Sequence, residues 1–268
     1  MKYEKNQKGN PHELTICQHI FPAKSIARFT NKSGVVDESG VVEVKLIAES
    51  KIIKIKPKAK LFCARRIWDQ RAESGYMKKI EDNYQSIAGS IVNGILNKIG
   101  QKEKPVINDM FAIWNIRAFQ KNLPIQEQKI NGITGVAKNL TIDEQELLEK
   151  NHVGFIQPDL TFPGRQLAGI HIQQNLDMWR EQLKDAEWGI LRASNGEFIV
   201  PDNFSNIRIL PITPKLCLYS PSNNQVLGIE QVAIINKLAL DTANKYYFAH
   251  DLSKCPRLGG GNCETNLA

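Results

Sequence analysis

The turn at Asp202-Asn203 has the residue types and the position of a catalytic or binding loop. It follows the apolar run Phe198-Ile199-Val200, which predicts a buried strand, and it precedes a polar loop. A carboxylate where a rigid strand ends in an open loop is a common place for chemistry. Asp202 can bind a cation or act as a base, and Asn203 can orient a substrate. An Asx turn that caps the strand end is the structural alternative, and the turn alone favours neither interpretation.

Three other side chains are candidates for the same chemistry. His19 precedes a short helix that Pro22 is expected to open, and it is either a ligand or base, or a residue that fixes the turn through a backbone carbonyl. Glu81 lies beside the apolar stripe of a predicted helix, next to Asp82, and is either a solvated surface residue or an inward-facing carboxylate that needs a cation. Arg117 lies among apolar residues of the next helix, so we expect a partly buried arginine that pairs with a carboxylate such as Glu81. A substrate clamp and a structural salt bridge both remain open for Arg117.

The elements that must position these residues follow from the hydrophobic periodicity. The order of strands, helices and strands predicts an α+β fold with an N-terminal β-hairpin, a central helical region and a C-terminal mixed or antiparallel sheet. Thr141 and Glu144 form a pattern typical of a capping box, which predicts a helix start at this point. The predicted helices cover 22–29, 75–99, 106–122, 141–150, 165–185 and 229–243, and the predicted strands cover 41–47, 51–56, 187–192, 197–201, 206–211, 215–220 and 245–249.

We expect one domain over residues 1–268, with loose ends at 1–13 and 256–268. The first residues are polar and lack the apolar core of a signal peptide. No run approaches the ~18–20 apolar residues that a membrane span needs. These observations predict a cytoplasmic protein that does not enter a membrane.

The net charge of +7 and the isoelectric point near 9.1 favour anionic partners, nucleic acid among them. Lys54, Lys56, Lys58 and Lys60 recur at even spacing after Lys51, so in a strand these four would line one face. Such a face either follows a phosphate backbone or protects an edge strand from aggregation.

The cysteines predict thiols rather than a metal centre. There are five, widely spaced and without a Cys-x-x-Cys pair, so a tetrahedral zinc site is not expected. Cys17, Cys63 and Cys217 have apolar neighbours and are interpreted as small core residues in a reducing compartment. Cys255 and Cys263 lie in a glycine-rich tail, where they could pair after oxidation.

Several motifs together resemble a bacterial domain-of-unknown-function family, number four-two-three-eight. The order and spacing agree over nearly the whole chain. The chain departs from the family pattern where Gln18 replaces the first of two histidines, Pro201 replaces a serine and Phe204 replaces a proline. The motifs that carry the resemblance are Gln18-His19-x-x-Pro22, Ile80-Glu81, Phe111 to Arg117, Phe198 to Asn203, Leu210 to Pro214, Asn236 and Tyr246-Tyr247.

The resemblance implies that His19, Glu81, Arg117 and Asp202 converge, which together with the basic charge predicts a nuclease-like or other phosphodiester-acting effector in phage defence or a toxin system. In this hypothesis Asp202, Glu81 and His19 hold Mg²⁺ or Mn²⁺, and His19 acts as a base or as a metal ligand. Arg117 stabilises the charge of the phosphate, and Asn203 orients the substrate. The alternatives are a non-catalytic binding or sensor subunit that recognises a protein or nucleic acid, and a metal-free hydrolase or transferase with Asp202 as base. Polar residues that are fully paired in the core would favour the binding alternative.

Overall fold

The computed structural model describes residues 6–124, 126–132, 134–135, 137–204 and 207–258, and it confirms the α+β fold class. The helices are α1 (Ala23–Ala27), α2 (Lys78–Val92), α3 (Lys104–Gln120), α4 (Ile142–Lys150), α5 (Gly164–Gln182) and α6 (Ile229–Thr242). The strands are β1 (Cys17–His19), β2 (Val42–Leu46), β3 (Lys51–Ile55), β4 (Cys63–Arg65), β5 (Gln128–Lys129), β6 (Thr161–Phe162), β7 (Gly189–Ala193), β8 (Val200–Pro201), β9 (Arg208–Thr213), β10 (Leu216–Ser220), β11 (Gln225–Leu227) and β12 (Tyr246–Ala249). In these residues, no helix is long and apolar enough to cross a membrane.

The chain divides into two compact units. The first unit comprises Met1–Ala23, Lys58–Ser90 and Gly100–Ala186, and the second comprises Lys24–Pro57, Ile91–Ile99 and Glu187–Ala268. The single domain expected from the sequence stays a prediction.

The first unit has a helical core around α3 and α5. Most residues of helix α3 are buried, with the polar Asn115 and Arg117 among them, which is typical of a helix surrounded by protein on all sides. Phe111 of α3 packs edge-on against Trp179 of α5, with ring centroids 5.9 Å apart. Trp114 contacts Phe21, with ring centroids 4.4 Å apart. The small antiparallel pairs β1–β4 and β5–β6 complete this unit.

The capping box predicted for α4 is confirmed. The Thr141 hydroxyl accepts a hydrogen bond from the Glu144 amide at 3.2 Å, and the Glu144 carboxylate accepts one from the Thr141 amide at 2.9 Å. Helix α4 also holds the N-terminal segment, because the amide of Gln7 donates to Glu146 at 2.9 Å and His12 lies 2.8 Å from Asp143. Residues 7–12 are therefore tied to the first unit.

The helix predicted over 75–99 is wrong at both ends. A π-helical turn, Ala72–Met77, precedes α2, and Gly75 within it has φ −90° and ψ −112°, outside the helical region. Helix α2 ends at Val92, and Gly94 follows with φ +72°, a left-handed conformation that ends a helix and that glycine adopts without strain. The apolar periodicity that predicted a longer helix does not register this turn.

The second unit contains two four-stranded sheets, in the orders β11-β7-β10-β9 and β3-β2-β12-β8. The predicted N-terminal hairpin is confirmed as β2 and β3, which pair antiparallel with Glu43 opposite Lys54. The C-terminal sheet is mixed, because β11 runs parallel to β7 and the other pairs are antiparallel. The rings of Phe29 and Phe248 meet edge to face in the core, 5.6 Å apart.

The lysine pattern does not form the single strand face expected from its spacing. Strand β3 ends at Ile55, so of the four evenly spaced lysines only Lys54 lies in a strand. Lys56 follows the strand as irregular backbone, and Lys60 begins a 3₁₀ turn in the first unit. Pro57 cannot donate a ladder hydrogen bond, which accounts for the end of the strand at this point.

Candidate functional site

The candidate residues fall into both units. His19, Glu81 and Arg117 belong to the first unit, and Asp202 and Asn203 belong to the second. Within the first unit, Glu81 and Arg117 meet directly, as the sequence predicted. His19 instead lies beside two cysteines.

Arg117 carries a buried positive charge in the first unit. Its side chain is 1% exposed and extends from the apolar helix α3, so its charge requires partners inside the protein. One terminal nitrogen, Nη1, donates to the Glu81 carboxylate, and the other, Nη2, lies 3.9 Å from Oε2 of Glu73. The same Glu73 oxygen accepts a hydrogen bond from Nε1 of Trp68 at 2.6 Å, and the guanidinium carbon lies 5.7 Å from the centroid of the Trp68 ring. We call Trp68, Glu73, Glu81 and Arg117 the Arg117 cluster.

A kink in the chain separates the two glutamates that reach the Arg117 guanidinium. On a regular α-helix, residues i and i+8 lie about 80° apart around the axis. Gly75 has backbone angles outside the helical region, so Glu73 precedes the kink, Glu81 follows it, and a single helical axis does not relate them. Both carboxylates lie beside Arg117 of α3. Glu73 was not a candidate from the sequence, because the predicted helix begins after it, at residue 75.

The pKa shifts and the solvent exposure differ among the charged members of the Arg117 cluster. Burial raises the pKa of Glu73 above its usual range, and the neighbouring Glu81 adds to the effect against the opposing influence of Arg117 and Trp68. Burial alone would lower the pKa of Arg117, but Glu81 and Glu73 raise it above the ordinary value. The arginine therefore stays charged, and the Glu73 carboxyl holds a proton more readily than an ordinary glutamate. With 26% of its side chain exposed, Glu81 is the member that solvent or a ligand reaches most easily.

A second buried ion network, absent from the sequence analysis, joins α4 to α5 and to the chain after β4. Arg66 donates to Glu146 at 3.3 Å and to Glu149 at 2.8 Å, and Arg165 donates through Nε to the same Glu149 oxygen at 2.7 Å. All four side chains are at most 4% exposed. The i, i+3 spacing of Glu146 and Glu149 was the available sequence signal, since it places both on one face of α4.

Two clefts of the first unit share the residue Glu127. One, of about 310 Å³, is lined by Arg66, Glu127, Ile142, Gln145, Glu146, Gln157 and Arg165. The other, of about 420 Å³, lies between the end of α3 and the start of α5 and includes His171. None of the predicted site residues lines either cleft.

His19 has sulfur neighbours rather than carboxylates. It lies opposite Cys63 in the β1–β4 pair, with its Nε2 atom 3.8 Å from the Cys63 sulfur. Cys17 and Cys63 form a disulfide across the same strands, so the interpretation of these two cysteines as free core thiols is wrong. Cys217 and Cys255 are buried free thiols, and Cys263, with which Cys255 could pair after oxidation, lies outside the described residues. Across the described residues, Cys17, His19 and Cys63 are the group of three whose ligand atoms lie within 4.8 Å of one another.

Gln18 binds the backbone that follows β4. Its side chain is 1% exposed, and its nitrogen donates to the Trp68 carbonyl at 2.8 Å. Its oxygen accepts from the amides of Ile67 at 2.8 Å and Trp68 at 3.3 Å. Gln18 therefore positions both β1 and Trp68, and through Trp68 the Arg117 cluster.

Asp202 binds backbone in the second unit. Its two carboxylate oxygens accept hydrogen bonds from the amides of Asn244 at 2.8 Å and Lys245 at 3.0 Å, in the turn between α6 and β12. Its own amide donates to the Tyr246 carbonyl at 3.1 Å. Asn203 follows it and is half-buried. These contacts give Asp202 the structural role of joining β8 to β12, and its catalytic role stays a prediction.

Exposed lysines line the outer edge of the β3-β2-β12-β8 sheet. Lys51, Lys54 and Lys56 are exposed along β3 and the residues just after it, and β3 is the terminal strand in the sheet order. Lys54 lies 3.2 Å from Glu43 on the neighbouring strand, with 67% of the lysine side chain exposed. Lys45 of β2 donates to the Ser50 carbonyl at 2.6 Å. We call the exposed Lys51, Lys54 and Lys56, together with the half-buried Lys45 of β2, the β3 lysine edge.

No family model, curated protein or solved structure matches this chain. The resemblance to family four-two-three-eight therefore stays a prediction.

Proposed function

We propose that this protein binds nucleic acid through the β3 lysine edge, as a non-catalytic recognition module. The observation that supports this most directly is that Lys51 and Lys54 are exposed on an edge strand of the second unit and that the exposed Lys56 follows this strand directly. Exposed lysines along the edge of a sheet can contact the phosphates of a nucleic acid backbone. The overall charge of +7 acts in the same direction, because it attracts polyanions.

The pairing of the predicted catalytic residues supports binding over catalysis. Arg117 is 1% exposed and its charge is matched by two glutamates, so no substrate phosphate can reach it without breaking those pairs. The Asp202 carboxylate accepts two backbone hydrogen bonds. Residues of a working active site must lie within hydrogen-bond reach of a reacting group. The two residues instead stabilise the units to which they belong.

Acidic residues near the β3 lysine edge limit the strength of the proposed contact. Glu43 pairs with Lys54, and Glu49 is exposed in the hairpin turn. Because the two glutamates offset part of the charge of the four lysines, we expect weak, salt-dependent binding. Lysine–phosphate contacts carry no sequence information, so the bases are not read. We expect binding to duplex DNA and to RNA without a preferred sequence.

Fluorescence anisotropy of labelled duplex DNA and of RNA tests this function. The variant K51Q/K54Q/K56Q removes three positive charges from the edge. K24Q/K32Q/K237Q is the matched control, because it removes three exposed lysines elsewhere in the second unit. We expect the first variant to lose at least about tenfold in affinity at low salt and the control to lose much less. Equal losses, or no binding by the wild type, would reject the proposal.

The same lysines can also protect the edge strand from aggregation, and a second variant separates the two roles. K51R/K54R/K56R keeps the charge and therefore keeps both properties. If K51Q/K54Q/K56Q aggregates in light scattering but binds as tightly as the wild type, the edge is protective and the binding proposal fails.

A phosphodiester-acting hydrolase is the second candidate function, and the Arg117 cluster is the observation that favours it. A glutamate with a raised pKa and a partly exposed glutamate flank one charged guanidinium, which is a pattern of acid–base pairs. In this candidate Glu73 donates a proton, Glu81 accepts one, and Arg117 positions both. The Mg²⁺ or Mn²⁺ expected from the sequence belongs to this candidate function.

A cleavage assay separates the two candidates. Plasmid and RNA are incubated with the wild type and with Glu81→Gln, in Mg²⁺, Mn²⁺ or chelator, and Glu181→Gln serves as an exposed control in the same unit. Cleavage that is lost in Glu81→Gln and retained in the control supports the hydrolase. Absence of cleavage in the wild type under all conditions rejects it.

A further inference from the structure

We propose that Cys17, His19 and Cys63 form a zinc site that is blocked by the Cys17–Cys63 disulfide and becomes available when a thiol reductant cleaves that bond. The sequence did not predict zinc, because its cysteines are widely spaced and none forms a Cys-x-x-Cys pair. The structure places the ligands on two paired strands instead, with the cysteines 46 positions apart. This proposal is independent of the nucleic-acid-binding function.

The geometry of the three ligands suits a tetrahedral metal. With Zn–S bonds of about 2.3 Å and Zn–N bonds of about 2.0–2.1 Å, neighbouring nitrogen and sulfur ligands lie roughly 3.5 Å apart. The Nε2 atom of His19 and the sulfur of Cys63 are 3.8 Å apart, close to that separation. The Cα atoms of the two cysteines are 5.3 Å apart, so rotation of the side chains can separate the sulfurs without moving the strands.

The local fold holds the ligands on one accessible face. Cys17 and His19 are two positions apart on β1, so both side chains point to the same side of the strand. Gln18 points to the opposite side, where its hydrogen bonds to Ile67 and Trp68 anchor β1. All three ligand residues are half-buried, which leaves them accessible to a reductant and to a metal ion.

The disulfide and the zinc site exclude each other. Two sulfurs bonded to each other cannot both be thiolate ligands, and zinc binds the thiolate form. One reductant thiolate attacks a disulfide sulfur, which leaves one cysteine as a thiol and the other in a mixed disulfide. A second reductant thiolate attacks the reductant sulfur of the mixed disulfide, which forms the reductant's disulfide and releases the second cysteine as a thiolate. Both cysteine thiolates then take a proton from water, so both cysteines end as thiols. Zn²⁺ then displaces two thiol protons, and neutral His19 is the third ligand.

The resulting site has three protein ligands, so a fourth position remains for water. Three protein ligands with an open position are typical of reactive zinc sites rather than closed structural ones. Thiolate and imidazole ligands select zinc over Mg²⁺ and Mn²⁺, which prefer oxygen. Disulfides in cytoplasmic proteins are usually transient and redox-sensing, so a reducible pair also accords with the predicted cytoplasmic location.

Metal titration of the full chain in its two redox states tests the proposal. The protein is reduced with a phosphine, which does not compete as a thiol ligand, and desalted without oxygen. Zn²⁺ is titrated against a chromophoric chelator, and Co²⁺ is added separately to detect thiolate-to-metal charge-transfer absorption. We expect one equivalent of metal to bind the reduced protein and none to bind the oxidised protein.

Variants assign the ligands. Cys17→Ser and Cys63→Ser should abolish the charge-transfer band attributable to this site, and His19→Ala should weaken zinc binding at least about tenfold while leaving both cysteines in place. Cys263→Ser is the thiol control and should bind as the wild type does. If a serine variant does not fold, the zinc affinity of His19→Ala still tests the proposal, because this variant keeps both cysteines.

Three results would overturn the proposal. The first is equal zinc affinity of the reduced wild type and His19→Ala. The second is equal binding by the oxidised and reduced proteins. The third is the absence of a Cys17–Cys63 peptide pair in mass spectrometry of the air-oxidised, unreduced digest.

Discussion

Arg117 donates to Glu81 from a side chain that is 1% exposed, whereas the Glu81 side chain is 26% exposed. The pair therefore spans the boundary between the interior of the first unit and its surface. A buried arginine with one accessible partner is expected when the cation organises carboxylates rather than meeting a ligand itself.

Replacing Arg117 with methionine should strongly destabilise the first unit. The change removes a buried cation of similar length and leaves Glu73 and Glu81 without their shared partner, so we expect a loss of about 3–5 kcal/mol in the free energy of unfolding. Urea denaturation measures the loss. Arg180→Met is the control, since Arg180 is 49% exposed and its ion pairs should contribute less than about 1 kcal/mol. Similar losses in the two variants would contradict the central position given to Arg117.

Replacing Glu73 with glutamine should change how stability depends on pH. The folded-state pKa of Glu73 is raised, so the native protein binds this proton more tightly than the unfolded chain does. Its stabilising contribution is complete below the unfolded pKa near 4.5 and is lost as the pH rises through the folded pKa. Glutamine does not titrate, so the variant should gain stability relative to the wild type as the pH rises from the unfolded pKa through the folded pKa. Urea denaturation across this range measures the difference, and a constant difference would refute the raised pKa.

Replacing Gln18 with alanine should cost about 2 kcal/mol or more, because it leaves buried backbone groups of Ile67 and Trp68 without partners. Tryptophan fluorescence should report the change early in denaturation, since Trp68 is 0% exposed and lies beside the Gln18 amide. Gln101→Ala, an exposed change in the same unit, is the comparison. If both variants unfold at the same urea concentration, Gln18 does not position this backbone.

Replacing Asp202 with asparagine should destabilise the second unit rather than abolish a specific activity. The amide keeps one acceptor oxygen but turns a donor toward a backbone N–H, so we expect a loss of about 1–3 kcal/mol. Thermal unfolding measures this loss, and Asp241→Asn at an exposed ion pair is the control. A variant as stable as the wild type that loses cleavage activity would restore Asp202 as a catalytic residue.

The sequence predicted helices and strands correctly where a short local motif determines the backbone conformation. Thr141 and Glu144 fixed the start of α4 because both halves of a capping box lie within one turn. The β2–β3 hairpin followed from two apolar runs separated by a short turn. The end of α2 was missed because Asn93-Gly94 ends the helix while apolar residues continue beyond it.

Contacts between distant segments were predicted only where a physical need identified the partner. A buried Arg117 needs a carboxylate, and Glu81 was the candidate at the edge of a neighbouring apolar stripe. The Cys17–Cys63 bond could not be deduced, since five cysteines allow many pairings and the choice depends on which strands pair. Glu73 was not predicted because it lies before a kink at Gly75, and the apolar periodicity of the sequence does not indicate that kink.

The salt dependence of nucleic acid binding tests the central claim most directly. For duplex DNA, the slope of log K against log salt changes by about 0.9 for each phosphate contact, so losing the three lysines Lys51, Lys54 and Lys56 should reduce its magnitude by up to about 2.7. Anisotropy titrations at several salt concentrations give the slope for the wild type, K51Q/K54Q/K56Q and K24Q/K32Q/K237Q. We predict a reduced slope for the first variant and a slope close to that of the wild type for the second. Equal slopes in all three proteins would contradict binding through the β3 lysine edge.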